Sequence, residues 1–288
     1  MKLFHKAGLP VDALHLLPGK GETVGAKLTS DPRISGVCFT GGTNTARMIN
    51  RTLAERDGPI IPLIAETGGL NGLFVDTTAL REQVLDDMIL SAFGSAGQRC
   101  SALRIAFLPK ATADHLIEGL KGAMDQLKLG DPALPETDIG PVIDEEARSM
   151  LQEHLKDMKS RAKVLHQVDA GIIGQEGYGF GPALVEISSL DQITEEKFGP
   201  ILHVIRYDPD DIDEVGGKLH AKGYGLTLGV HSRLDSFYKE VRAACPVGNT
   251  YVNRSMTGAV VGVQPFGFFY RDGIGHFVAG VLQQFADC

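Results

Sequence analysis

The sequence lacks any apolar run long enough to cross a bilayer. Its longest apolar stretches, such as residues 60–65 and 259–263, are far shorter than the about 20 residues that a transmembrane helix requires. The first residues also contain no apolar segment of the kind that a secretory signal needs. We therefore expect a protein with no transmembrane segment, and the cytoplasm is the expected compartment.

Positive charge and paired cysteines are scarce as well. The 288 residues include 28 Lys and Arg against 36 Asp and Glu, which gives a formal net charge of −8. Proteins that hold a phosphate backbone have the opposite balance, so no nucleic-acid partner is expected. The cysteines form no C-x-x-C pair and the histidines follow no metal-ligand spacing, which argues against a disulfide framework and a metal site. The cysteines are Cys38, Cys100, Cys245 and Cys288.

Apolar runs alternate with segments of helical periodicity, which predicts an α/β fold with a largely parallel sheet. Residues 34–39 and 60–65 are expected to form buried strands. The glycine-rich residues 169–182 lack the Lys-Ser/Thr of a phosphate loop and are interpreted as a plain connection. Further strands are predicted at residues 72–75, 103–108, 163–167, 201–207, 227–230 and 250–253, and helices at residues 45–55, 111–127 and 145–161.

A glycine turn, Phe39-Thr40-Gly41-Gly42-Thr43, lies between the first predicted strand and the first predicted helix. Glycines let a backbone approach a ligand closely, and a helix N-terminus offers free N–H groups to an anion. The same pattern also fits a tight turn without a ligand, so the turn alone does not identify a binding site.

Glu66 is a candidate general base. It follows the predicted strand at residues 60–65, at the edge where α/β folds gather functional groups. Burial there would raise the pKa of its carboxyl group and suit it to accept a proton near neutral pH. A solvated or helix-capping glutamate is the alternative interpretation.

Cys100 is a candidate nucleophile. It lies in the run Gln98-Arg99-Cys100-Ser101, which is too polar for an ordinary core position and favours a reactive thiol over a buried structural one. Cys38 and Cys245 are instead predicted to be structural. Cys38 lies inside a predicted buried strand and Cys245 at the end of a helical segment.

A fourth segment, Glu196-Lys197-Phe198-Gly199-Pro200, would alone be interpreted as an exposed acidic turn. Together, however, the four segments resemble the aldehyde dehydrogenase superfamily in residues, order and spacing. Glu66 precedes Cys100 by 34 positions, and Cys100 precedes Glu196 by 96 positions. The resemblance implies that Cys100 attacks an aldehyde, that Glu66 activates water, and that a thioester lies between the two steps.

The same resemblance implies a fold and a cofactor. The fold would be a partial Rossmann-type cofactor domain followed by an α/β catalytic domain. The cofactor would be NAD, with Glu196 holding the nicotinamide ribose. The residues matching the cofactor-binding segments are Thr40, Gly41, Gly42, Glu196 and Phe198.

A finer resemblance is to the L-glutamate γ-semialdehyde (1-pyrroline-5-carboxylate) dehydrogenase domain of bifunctional proline-utilisation proteins, which catalyses the second step of proline degradation. It implies that Ser101 and the backbone N–H groups of Gly258 and Ala259 bind the substrate carboxylate, and that Phe266 lines the aldehyde pocket. The resemblance is carried by residues 66–71, 99–104, 130–132, 138–144 and 248–266.

The resemblance runs from about residue 7 to residue 267 and predicts three parts. Residues 1–66 correspond to the second half of the NAD-binding domain, residues 67–267 to the catalytic thiol domain, and residues 268–288 to an aberrant tail that resembles a shifted reading frame. Since the first half of the cofactor domain has no counterpart, we expect impaired activity in this chain. The homo-oligomers of the family are not expected either, because their oligomerisation strand is not recognisable.

Several alternatives stay open at this point. The sequence does not separate NAD from NADP, and it does not decide whether a proline dehydrogenase domain was once joined upstream. A non-catalytic remnant or binding module of the same fold would show no selective reactivity at Cys100. A cysteine hydrolase or acyltransferase would need a histidine within hydrogen-bond reach of Cys100.

Overall fold

The computed structural model describes residues 1–259, Phe266 and the strand Gly273–Ile274, except for the side chains of residues 172, 175 and 176 and of that strand. The chain divides into two compact units, Met1–Ala65 and Glu66–Cys288. The predicted tail at residues 268–288 lies outside the described residues apart from the short strand. In the part of the chain that is described, no helix combines the length and the apolar character that crossing a membrane demands.

The first unit contains short helices and a small sheet in which the first two strands are neighbours. A five-residue π-helical segment, Gly21–Gly25, leads directly into its second helix. Its elements are α1 (Lys2–Lys6), α2 (Ala26–Ser30), β1 (Val37–Thr40), α3 (Thr43–Ala54) and β2 (Leu63–Glu66), whose last residue belongs to the second unit.

The predicted burial of the first two strands is wrong. Residues along β1 alternate between half-buried and exposed, and Cys38 is exposed, so it is not a core residue. Ile60, expected in the second buried strand, is fully exposed and precedes β2. The physical reason is that this unit encloses little apolar surface within itself. Its buried residues are Thr29, Ala46 and Ala65.

The second unit is built on a seven-stranded sheet with the order β5-β6-β7-β4-β3-β8-β9. The pairing of β5 with β6 is antiparallel and the other pairings are parallel. The strands of this sheet are β3 (Asn71–Val75), β4 (Leu103–Pro109), β5 (Lys163–Gln167), β6 (Ala183–Glu186), β7 (Ile201–Tyr207), β8 (Thr227–His231) and β9 (Asn249–Val252), and a further short strand outside it is β10 (Gly273–Ile274). The helices are α4 (Arg81–Phe93), α5 (Ala113–Asp125), α6 (Glu145–Arg161), α7 (Gly171–Glu176), α8 (Ile212–Ala221) and α9 (Asp235–Ala244).

The predicted α/β fold with a largely parallel sheet is confirmed. Every residue of β3, β4 and β8 is buried, which explains why these strands are apolar runs without alternation. In the core, Phe74 stacks on Phe107 with ring centroids 4.3 Å apart. The interpretation of residues 169–182 as a plain connection is wrong in one respect, because they contain α7.

The sheet order brings three of the candidate segments together. Glu66-Thr67-Gly68-Gly69 precedes β3, Cys100 precedes β4, and Glu196 precedes β7. The strands β3, β4 and β7 are parallel neighbours, so the residues before them meet at one edge of the sheet, the amino edge. Chain positions far apart in sequence thus converge on one site.

Candidate active site

The segment that carries Cys100 lies between α4 and β4 and begins with a left-handed turn. Ser95, Ala96 and Gly97 have φ values of 56°, 53° and 64°, a region that residues with side chains seldom occupy. A Cβ atom at position 97 would also lie only 2.2 Å from the carbonyl oxygen of Gly199. Glycine is therefore required at position 97, both by its conformation and by its close contact with the segment before β7.

Hydrogen bonds to carbonyl oxygens hold the backbone around the Cys100 sulfur. Asn71 Nδ2 donates to the carbonyls of Cys100 and Ala102 at 2.7 and 2.9 Å. Thr227 Oγ1 donates to the Ser101 carbonyl at 3.3 Å, and the Thr227 N–H donates to Asn71 Oδ1 at 3.2 Å. Asn71 and Thr227 are both buried, so the backbone of the nucleophile segment, residues 94–102, is held by hydrogen bonds from the protein interior. Neither residue was assigned a role from the sequence.

Arg104 on β4 connects the nucleophile segment to the segment before β7. Its buried guanidinium donates to the carbonyls of Gly97, Gly199 and Arg99 at 2.7, 3.1 and 3.3 Å. It also donates from Nη2 and Nε to Glu196 Oε1 at 2.8 and 3.0 Å. These bonds use all the N–H donors of the side chain. A lone arginine in an otherwise apolar strand was the signal that sequence reasoning overlooked, because such a group must find partners when it is buried.

The Glu196 carboxylate is held from two sides. Burial raises its pKa above the ordinary value, while Arg104 and the backbone N–H of Gly69 oppose that rise. A Cβ atom on Gly68 would lie 1.6 Å from Glu196 Oε2, so the glycine leaves the space that this carboxylate occupies. The Arg104 guanidinium also lies 5.2 Å from the centroid of the Phe198 ring. The roles of Glu196 and Phe198 in cofactor binding stay predictions.

Breaking the Arg104–Glu196 ion pair should destabilise the fold. Only 3% of the Arg104 side chain and 12% of the Glu196 side chain are exposed. We expect Arg104→Met to lower the free energy of unfolding by roughly 3–5 kcal/mol, because a buried carboxylate loses its partner. Chemical denaturation measures the change. The control is Lys218→Met, which removes an exposed pair with Glu214 and should leave the midpoint nearly unchanged. Equal shifts in the two variants would contradict this account.

Glu66 and Cys100 belong to the same unit and interact electrostatically. Burial raises the pKa of the Cys100 thiol, and the negative charge of Glu66 raises it further. The backbone N–H groups of Ser101 and Cys100 oppose that rise. Burial also raises the pKa of Glu66 from 4.5 to about 7. Within the described residues Glu66 Oε1 has no hydrogen-bond partner. A carboxyl group able to exchange a proton near neutral pH therefore interacts electrostatically with the Cys100 sulfur.

The residues predicted to bind a substrate carboxylate lie near this segment. Ser101 is buried beside the nucleophile, while Gly258 and Ala259 are half-buried in the loop after β9. The Arg99 side chain links the two regions, because its Nη1 donates to the carbonyl of Thr257 at 3.2 Å. Phe266 is half-buried. The substrate contacts of these residues stay predictions.

The predicted cofactor turn lies in the first unit. Thr40 ends β1, Gly41 follows it, and Gly42 is the N-terminal cap of α3. In the described part of the chain, no atom lies within 4 Å of a Cβ atom placed on Gly42. Among the described residues no side chain caps this helix, so its first N–H groups are open to an anion in this part of the structure. Cofactor binding at this turn stays a prediction.

The buried histidines contact groups other than Cys100. His154 and His203 share a hydrogen bond of 3.0 Å between their Nε2 atoms, and His203 Nδ1 lies 3.2 Å from the carbonyl of Arg104. His231 Nε2 lies 3.5 Å from Asp87. The charged groups that act on Cys100 are the carboxylates of Glu66 and Glu196, whereas a cysteine hydrolase uses an imidazole. The described residues include no cluster of three side chains suited to a metal ion.

The comparisons with known proteins identify a family for this chain. The model of the Aldehyde dehydrogenase family matches residues 1–286, which extends past both ends of the span recognised in the sequence. The chain is 47% identical over 285 residues to a Klebsiella aerogenes protein named Bifunctional protein PutA, and the match covers 96% of this chain and 22% of that protein.

Solved structures also align with nearly the whole of this chain. The chain aligns with a crystal structure of bifunctional proline utilization A with a TM-score of 0.92 and 51% identity, covering 96% of this chain and 28% of the other. It aligns with a 1-pyrroline-5-carboxylate dehydrogenase from Thermus, solved with bound NAD, with a TM-score of 0.87 and 32% identity, covering 99% and 55%. The chain therefore spans about a quarter of the first protein and about half of the second.

Proposed function

The chain belongs to the aldehyde dehydrogenase family, and on that premise we propose that it oxidises L-glutamate γ-semialdehyde to L-glutamate through a thioester on Cys100, with NAD as the cofactor. The observation that carries the proposal is the pairing of Cys100 with Glu66 at the amino edge of the sheet, where the carboxyl group has a pKa of about 7. A thiol and a base of this kind suit a reaction that forms and then hydrolyses an acyl-enzyme.

The choice of substrate is supported by the names of the relatives. Those relatives are described as proline utilization A and 1-pyrroline-5-carboxylate dehydrogenase. L-Glutamate γ-semialdehyde carries a carboxylate besides the aldehyde. In the proposal, Ser101 and the N–H groups of Gly258 and Ala259 bind that carboxylate, and Phe266 packs against the aliphatic part.

The cofactor assignment is supported by the turn between β1 and α3. Its glycines and the uncapped helix N-terminus suit a dinucleotide phosphate, and the proposal assigns binding roles to Thr40, Gly41, Gly42, Glu196 and Phe198. A bound nicotinamide ring supplies an acceptor for the hydride that leaves the aldehyde carbon. The remaining steps belong to side chains and backbone groups of this chain.

In the first step the Cys100 thiolate attacks the aldehyde carbon and a C–S bond forms, while the aldehyde oxygen gains a proton. Burial raises the pKa of the Cys100 thiol, and the backbone N–H groups of Ser101 and Cys100 oppose that rise because they favour the anionic form of the sulfur. Loss of a hydride from the same carbon, together with the hydroxyl proton, converts this hemithioacetal to a thioester. The rigid backbone around Cys100 keeps the sulfur in place through both stages.

In the second step Glu66 removes a proton from water and the water oxygen attacks the thioester carbonyl. The C–S bond then breaks, L-glutamate leaves, and the thiolate of Cys100 is restored. The backbone N–H of Cys100 is the proposed donor to the oxyanion that develops during the attack. Glu66 is suited to this role because its Oε1 atom has no protein partner among the described residues.

The direct test incubates the purified chain with L-glutamate γ-semialdehyde and NAD, and follows both NADH absorbance and covalent adducts by mass spectrometry. We expect an acyl adduct confined to the peptide that contains Cys100, together with NADH and L-glutamate. The adduct detects even a single slow turnover. Absence of both adduct and NADH, combined with no selective alkylation of Cys100, would favour a non-catalytic member of the family.

A further inference from the structure

One face of α4 carries a row of polar side chains at four-residue intervals. Residues four apart in a helix lie above one another on the same face, so the row forms a continuous strip along the helix. A polar strip on a helix usually faces solvent, yet this one is largely covered. Ser91 is fully buried and only 18% of the Asp87 side chain is exposed. We call the row the α4 stripe, and its members are Gln83, Asp87 and Ser91.

The α4 stripe binds the loop after β9, residues 253–259, which we call the β9 loop. Each member of the stripe bonds to the main chain of the loop rather than to a side chain, so together they set the path of the loop backbone. The bonds, in chain order, are Gln83 Nε2 to the Asn253 carbonyl at 2.8 Å, the Ser255 N–H to the Asp87 carboxylate, and the Met256 N–H to Ser91 Oγ at 2.9 Å.

Further along the loop, two arginines hold carbonyl oxygens. Arg99 Nη1 donates to the carbonyl of Thr257 at 3.2 Å, and Arg254 Nη2 donates to the carbonyl of Gly258 at 3.2 Å. In a trans peptide the carbonyl oxygen and the N–H of the next residue point in opposite directions. The N–H groups of Gly258 and Ala259 therefore point away from the arginines that hold the two carbonyls.

We propose that the α4 stripe and Arg99 are positioning residues that aim the N–H groups of Gly258 and Ala259 at the carboxylate of the substrate, and so set the preference for aldehydes that carry one. The inference rests on the proposed function, because the loop has a ligand only if the substrate bears a carboxylate. The four side chains act through the β9 loop. Arg99 also makes the loop continuous with the nucleophile segment, since it directly precedes Cys100.

The test uses alkylation of Cys100 by iodoacetamide, which needs no cofactor, with L-glutamate as the protecting ligand. The rate is measured by mass spectrometry of the Cys100 peptide. We expect Gln83→Ala and Ser91→Ala each to raise the L-glutamate concentration for half-protection roughly 3- to 10-fold, the size of one lost hydrogen bond. The alkylation rate without L-glutamate should stay unchanged, because neither substitution touches the sulfur.

A matched control and a ligand control separate the possible results. Gln152→Ala, at an exposed position of α6, should leave protection unchanged. L-Isoglutamine, in which an amide replaces the α-carboxylate, should protect wild-type chain poorly. Wild-type chain that L-glutamate does not protect would overturn the proposed function. Normal protection in the wild type and equal protection in the Gln83 and Ser91 variants would overturn only the inference about the α4 stripe.

Discussion

Replacing Glu66 by glutamine is expected to slow release of an acyl group from Cys100 by roughly 10²–10⁴-fold while acylation itself continues. Glutamine cannot take the proton from the attacking water. Acylation should not slow, because the Glu66 charge raises the pKa of the thiol and its removal favours the thiolate. The assay uses p-nitrophenyl acetate, which delivers an acyl group already at the oxidation level of an acid and so needs no hydride acceptor. Nitrophenolate should appear as an unchanged burst followed by a much slower steady release.

The pH dependence gives this prediction a second readout. Glu66 acts as a base only when ionised, and its pKa is about 7. Deacylation of the wild type should therefore fall about tenfold for each unit of pH below 7 and level off above it. The Glu66→Gln variant should lose this inflection. Glu240→Gln, at an exposed position of α9, is the matched control and should keep both the rate and the profile. A Glu66→Gln variant with the rate and profile of the wild type would rule out the assigned role.

Cys100→Ala is expected to abolish both the burst and the steady release, with a loss on the order of 10⁴–10⁶-fold, because the proposal assigns the acyl intermediate to the Cys100 sulfur. The wild-type burst should correspond to one nitrophenolate per chain. The same variant should form no adduct with L-glutamate γ-semialdehyde and NAD. The measurements are burst amplitude by absorbance and adduct mass by intact-protein mass spectrometry.

Cys38 provides the control for this second prediction. It is an exposed thiol in the first unit, so reagents can reach it, but the Glu66 carboxylate is assigned to Cys100. Cys38→Ala should retain the full burst and the full steady rate. A burst that persists in Cys100→Ala and disappears in Cys38→Ala would show that the acylated residue had been misidentified.

Local patterns were sufficient to predict much of the second unit. The bounds predicted for β5, β7 and α6 agree with the structure. Asp144 caps α6 by accepting a hydrogen bond from the Ala147 N–H. Burial in the first unit could not be predicted in this way. The alternation of β1 and the exposure of Cys38 depend on what covers a strand, and its own residues do not specify that.

The residues of the candidate site were likewise predicted only in part. Motif order and spacing pointed to Glu66, Cys100 and Glu196, but their common edge follows from the sheet order, in which strands distant in sequence are neighbours. Arg104 and Asn71 were missed because their roles consist of contacts with residues far along the chain. The α4 stripe was missed for a related reason. By sequence it matches any solvated helix face, and only the packing of the β9 loop distinguishes it.

The side chains that hold the backbone around Cys100 bind main-chain carbonyl oxygens, and every amino acid possesses such an oxygen. Asn71, Thr227 and Arg104 therefore hold the backbone that carries the sulfur, and these hydrogen bonds do not depend on which side chains flank Cys100. Position 99, whose side chain is exposed, can consequently accept new side chains without displacing the reactive atom, whereas Ser101 is buried and leaves little room for a larger side chain. Directed evolution of this scaffold toward other aldehydes should thus begin at position 99, where a substitution can change the substrate range without moving the sulfur.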